Sequence, residues 1–139
     1  MSLRSYILIL YDFFLFSVYY IDCGPAVILA NGKSASIIGD YFDDQSLIQI
    51  AREQLYWVLG KNPFGQSLIY GEGSRYGQNY TALLGETVGE LAVGVQTRAN
   101  EDVPYWPAGC IATYREVWVT PATKFLMVAA DILKNDSRR

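Results

Sequence analysis

The chain contains no histidine, so it cannot by itself supply a Ser-His-Asp triad, a Cys-His pair or a histidine-ligated metal. Any proton transfer therefore falls to its 14 Asp and Glu side chains. Among them Glu116 has a distinctive setting, between Tyr114 and Trp118 and directly ahead of a helical pattern. That spacing alone better suits an exposed acid placed before a helix N-terminus, where the dipole favours negative charge. Glu72, Glu86, Glu90, Glu101 and Asp102 lie in a glycine-rich stretch and read as solvated or capping acids. Gly71 and Gly73 form no phosphate cradle, because no Gly-Lys-Ser/Thr follows them. Asn79-Tyr80-Thr81 is a glycosylation sequon, a pattern that recurs by chance. Cys23 and Cys110 are too few and too far apart for a metal knuckle; they are either a disulfide pair or two free thiols. No cofactor or metal is expected.

Three helical segments would position these groups. Residues 25–38 form a broad apolar face with Pro25 in the first turn and Gly39 as the expected stop, although Asn31 and Gly32 weaken the pattern. Residues 45–59 give the clearest period, with Leu47, Ile48, Ala51, Leu55, Val58 and Leu59 on one side. Asp43 or Asp44 can cap that helix, and Gly60 with Asn62-Pro63 ends it. Residues 121–134 follow Thr120 as N-cap and Pro121 at the first helical position. Residues 61–119 hold eight glycines and seven Tyr and Trp residues, without a strong period. Such a long connection is usually functional or disordered, and the aromatics argue for order. It is expected to be a loop system across the ends of a helical scaffold, with short strands at 67–70 and 91–96.

The 139 residues fit a single domain with a modest core, and the composition, 51% hydrophobic and 18% charged, is far from disordered. Eleven Tyr and three Trp suit either a ring-lined binding surface or an aromatic core. A net charge of −3, with no basic run beyond Arg138-Arg139, disfavours a nucleic-acid partner. Residues 6–20 are almost wholly apolar or aromatic, interrupted by Asp12 and Ser17. They are short of the roughly 20 residues a spanning helix needs. Core helix, signal peptide and membrane anchor all remain open for them.

The run Gln54-Leu55-Tyr56-Trp57-Val58-Leu59-Gly60-Lys61-Asn62-Pro63-Phe64-Gly65-Gln66-Ser67, continuing to Gly71-Glu72-Gly73, resembles a signature of glycoside hydrolase family 9. There a helix ends in Leu-Gly-x-Asn-Pro, followed by Ser and a Gly-x-Gly turn into the cleft. Tyr114-Arg115-Glu116-Val117-Trp118-Val119 is similar to the family's late Tyr…Asn-Glu-Val segment, and the likeness covers roughly residues 24–133. The resemblance implies an all-α fold: part of an (α/α)6 toroid, three to four helices of it, with a long Gly- and aromatic-rich loop region. It implies a hydrolase of β-linked glucans acting with inversion, and a secreted or periplasmic location. Inversion needs a carboxylic acid on the leaving oxygen and a carboxylate that activates water, roughly 6.5–9.5 Å apart.

By position, Glu116 would be the general acid, a role that partial burial near aromatic rings favours. Arg98 and Asp102 would hydrogen-bond sugar hydroxyls, Tyr105 and Trp106 would stack on a ring, and Tyr114 and Trp118 would line the pocket. A Pro-bracketed loop folded onto the core accounts for residues 98–107 equally well. The sequence also departs from the family. No Asp-Ala-Gly-Asp-type base motif occurs, since Asp40-Tyr41-Phe42-Asp43-Asp44 does not match it. Gln78-Asn79-Tyr80 lies near where His-His-Arg is common, and Arg115 replaces the usual Asn. The chain is thus expected to be the C-terminal portion of a larger enzyme, inactive alone, with its polysaccharide-cleaving partner residues in a missing upstream part. The alternatives are a vestigial glycan-binding module lacking the base and, if residues 3–20 are an anchor, a small membrane-associated structural protein.

Overall fold

The structure is a computed structural model that describes residues 24–77, 79, 87–94, 96–97, 104–105 and 115–138. The apolar segment 6–20 and both cysteines, Cys23 and Cys110, lie outside the described residues. Three helices dominate: α1 (Gly24–Phe42), α2 (Gln45–Val58) and α3 (Val119–Asp136).

α1 buries Pro25, Ile28, Leu29, Gly32, Ala35, Ser36 and Gly39, the repeat of one helical face. Gly39 does not end it, contrary to expectation, because this glycine serves packing. A Cβ there would stand 2.9 Å from Ile48 Cδ1, so the bare backbone lets α2 approach closely. The helix runs on to Phe42 and stops at Asp43, which takes the left-handed conformation at φ 52°. The Asp44 N–H then donates to the Gly39 carbonyl at 2.9 Å, the six-to-one bond of a Schellman stop. The next residue opens α2: Asp44 is extended and its Oδ1 accepts from the Ser46 N–H at 2.9 Å. Adjacent aspartates thus close one helix and cap the next.

α2 ends on a second Schellman stop. Gly60, at φ 114°, lets the Lys61 N–H reach the Tyr56 carbonyl at 2.8 Å. α3 begins earlier than the Thr120-Pro121 pair suggests, with Trp118 as N-cap and Pro121 third in the helix and buried. Proline is tolerated there because the first four helical N–H groups have no intrahelical acceptor.

α1 and α2 form an antiparallel hairpin, Gly39 facing Ile48 and Gly32 facing Gln54. α3 runs parallel to α1, as the Lys33–Asp131 and Asp40–Lys134 pairs require, and packs on both helices. The core joins Leu29 and Ala35 of α1, Ile48, Ala51, Leu55 and Val58 of α2, and Val128 and Ile132 of α3. Leu68, Ile69 and Leu91 from the connection enter the same core, so that connection is anchored to the helical scaffold. The expected strands reduce mainly to single-residue bridges, Ser67 with Tyr76 (parallel), and Ile69 with Leu91 and Ala92 with Val117 (both antiparallel). Beyond them Gln96–Thr97 (β1) pairs antiparallel with Pro104–Tyr105 (β2). No helix among the described residues is long and apolar enough to cross a membrane.

Candidate functional site

Glu116 lies two residues before the α3 N-cap, half-buried. Its backbone is fixed first: its carbonyl accepts from the Val93 N–H at 2.8 Å, beside the Ala92–Val117 bridge. Its side chain is then aimed by Trp118, whose Nε1–H donates to Glu116 Oε2 at 2.8 Å. Indole nitrogen only donates, so this bond orients one carboxylate oxygen. The start of α3 adds its positive dipole end nearby.

The segment that carries Glu116 is tied back to the end of α2 in steps. The Leu68 N–H donates to the Val58 carbonyl at 2.9 Å, and the Ala92 N–H to the Leu68 carbonyl at 3.3 Å. The Val93–Glu116 bond completes the path. Residues 91–93 are therefore a splint between residues 68–69, which follow the Leu59-Gly60-Lys61-Asn62-Pro63 stop, and the Glu116 segment about fifty residues further along the chain.

Asn62 organises the stop itself. Its Nδ2 donates to the Trp57 and Gln66 carbonyls at 2.7 and 2.8 Å, while Oδ1 accepts from the Phe64 and Gln66 N–H groups at 3.1 and 3.3 Å. One part-buried amide thus bonds four backbone groups of a sharp reversal. In sequence Asn62 is part of a helix stop, and the Asn-Pro pair after a glycine is the available sign of a side-chain-built turn.

Asn79, in sequence only part of a chance-prone sequon, is an interior residue. It is 2% exposed, and its Nδ2 donates to the Glu90 carbonyl at 3.1 Å. Its own carbonyl accepts from Arg115 Nη2 at 3.2 Å. The nitrogen that glycosylation would modify is therefore engaged inside the fold, and Arg115 clamps the Glu116 segment onto it. Nothing in the sequence pattern marked this contact, because it links side chain to backbone across 36 positions.

Of the other residues proposed to meet sugar, Trp118 is described and 45% exposed at the head of α3. Tyr105 is placed by its backbone in β2. Arg98, Asp102, Trp106 and Tyr114 lie outside the described residues. Among the described residues no group of His, Cys, Asp and Glu could hold a metal ion.

A half-open depression of about 350 Å³ lies between α1 and α3, lined by Ser36, Ile37, Asp40, Tyr41, Lys134 and the Lys33–Asp131 pair. It is at the far end of α3 from Glu116, since Asp131 lies roughly 18 Å along the helix from Val119. Its charges are engaged with one another: Lys33 and Ser36 both bond Asp131, and Lys134 and Arg138 both bond Asp40. The Lys134 hydrogen bond, with Arg138 alongside, holds the Asp40 carboxyl below its ordinary value. On the other flank Arg52 grips Asp136 through both nitrogens, at 2.7 and 3.1 Å, and its own basicity rises in consequence. These contacts hold α1 and α2 to α3.

The chain matches no protein-family model, and neither a curated protein nor a solved structure shows significant similarity to it.

Proposed function

We propose that the chain is the C-terminal part of the catalytic domain of an inverting β-glucan hydrolase resembling glycoside hydrolase family 9, with Glu116 as general acid. The observation that carries this reading is the splint at 91–93. It joins residues 68–69, just past the run that carries the first half of the resemblance, to the segment around Glu116. The three helices alternate in direction, which suits part of a ring of helical hairpins.

In this reading Glu116 gives its proton to the leaving glycosidic oxygen as the bond breaks, and Trp118 sets the angle of the carboxyl. Water must be activated by a second carboxylate on the opposite face of the sugar. The resemblance puts that base in an upstream aspartate motif that this sequence lacks, so the chain contributes the acid and part of the cleft. Arg98, Asp102, Tyr105, Trp106, Tyr114 and Trp118 are the proposed sugar contacts.

The test has two arms. The purified chain, incubated with soluble β-glucan, should release no reducing sugar; release would mean that the chain supplies its own base and would overturn the division of labour. In a longer parent enzyme, Glu116→Gln should retain glucan binding and lose most turnover. Near wild-type rates on an unactivated glucan would remove Glu116 from the acid role.

A further inference from the structure

α3 carries apolar residues on two opposite sides of its axis. The inner side, with Pro121, Phe125, Val128 and Ile132, packs on the other two helices. The outer side consists of Val119, Thr123, Leu126, Ala130 and Leu133, continued by Ser137 just past the helix, and all six are exposed. Leu126 and Leu133 are 67% and 69% exposed, and Val119 80%. The six positions alternate steps of four and three residues, the seam of a coiled coil, and none carries a charge. A solvent-facing helix side normally carries polar or charged residues, and an apolar one marks a surface that something covers.

We propose that this seam pairs with the same seam of a second copy of the chain, the two α3 helices lying antiparallel about a twofold axis. The order of side-chain sizes selects that occupant. Large residues form one row, Val119, Leu126 and Leu133, and small ones the other, Thr123, Ala130 and Ser137. Set against itself in reverse, α3 places Leu126 opposite Ala130 of the second copy, Leu133 opposite Thr123, and Val119 opposite Ser137. Every large side chain meets a small one, and each contact recurs through the axis, as an isologous interface requires. A parallel pair in register would oppose Leu126 to Leu126 and Ala130 to Ala130, leaving gaps at every small layer.

The flanks agree. In the antiparallel pair Met127 meets Met127, Lys134 faces Thr120, and Asp136 faces Ala122, so no charge meets its like. Lys134 and Asp136 are also already bonded within their own chain, to Asp40 and Arg52.

Sedimentation equilibrium of the 139-residue chain at micromolar concentrations tests this. A reversible monomer–dimer equilibrium is expected. Leu126→Glu and Leu133→Glu, with helix content checked by circular dichroism, should each weaken it by about tenfold or more. Ala130→Leu enlarges the apolar surface but fills the space Leu126 needs, and should weaken it too. For orientation, Leu126→Cys with Ala130→Cys, in a Cys23→Ser/Cys110→Ser background, should cross-link between chains far better than either change alone. A monomer at every concentration would overturn the proposal. So would a dimer indifferent to the Glu substitutions, or single cysteine variants that cross-link as well as the pair.

Discussion

Trp118 Nε1 donates to Glu116 Oε2 at 2.8 Å, so the N-cap residue of α3 grips the carboxylate two positions before it. The N-cap indole makes no capping bond to the helix backbone. Trp118→Phe keeps the ring and removes the donor. Because Trp118 is 45% exposed, the loss of stability should be small, about 0.5–1 kcal/mol in urea unfolding. On the proposed function, in a longer parent enzyme, the same change should lower kcat more than it raises KM, since the ring stays and only the bond that orients Glu116 is lost. An equal loss in both would place Trp118 in substrate binding instead.

Asn62→Ala should be far more damaging. It strands the Phe64 and Gln66 N–H groups and the Gln66 carbonyl, while the Trp57 carbonyl keeps the Gly60 N–H. A loss of about 2–4 kcal/mol is expected in denaturant unfolding. Asn62→Asp keeps the acceptor half of the pattern and should cost less. Equal losses for the two variants would show that the bonds Oδ1 accepts from the Phe64 and Gln66 N–H groups contribute little.

Gly39→Ala sets two effects against each other. Helix propensity gains about 0.5–1 kcal/mol from the substitution. The new methyl would lie 2.9 Å from Ile48 Cδ1 and 3.0 Å from the Asp44 carbonyl oxygen, which belongs to backbone and cannot step aside. Overpacking of this kind costs about 1–3 kcal/mol, so the variant should unfold at lower temperature. A raised midpoint would mean that α1 and α2 separate without penalty.

Acid should weaken the junction of α1 with the end of α3. Lys134 and Arg138 hold the Asp40 carboxyl below its ordinary value of 3.8, so the folded chain binds that proton less readily than the unfolded chain. The stabilisation is therefore complete above the ordinary value and drains away as pH falls through the lower, folded one. Wild type should exceed Asp40→Asn in thermal midpoint near neutrality, and the gap should close on titration toward about pH 2. A gap independent of pH would assign the effect of the substitution to packing.

Much of the helical frame was legible in the residues. α2 was plain because Leu47, Ile48, Ala51, Leu55 and Val58 repeat on one face between a capping aspartate and a Gly-x-Asn-Pro stop, all local signals. The end of α1 was misplaced because Gly39 has two meanings that a pattern cannot separate. Glycine ends helices, and glycine also admits a neighbouring helix. Only the position of Ile48 across the hairpin decides between them. The start of α3 shifted for a related reason: Pro121 suits any position in the first turn, where its missing N–H costs nothing.

Composition and motif by themselves fixed which chemistry was open: carboxylate acid–base work, no histidine, no clustered cations. They also singled out Glu116 as the acid to weigh. The tertiary structure alone decided that Asn79 is interior, that Arg115 and Val93 grip the segment bearing Glu116, and that α3 leaves a second apolar side uncovered. The physical reason is range. Capping and helical period act within a turn or two of the chain and leave their mark in neighbouring residues. Bonds between groups dozens of positions apart depend on where the packed helices carry them, and no local pattern encodes that.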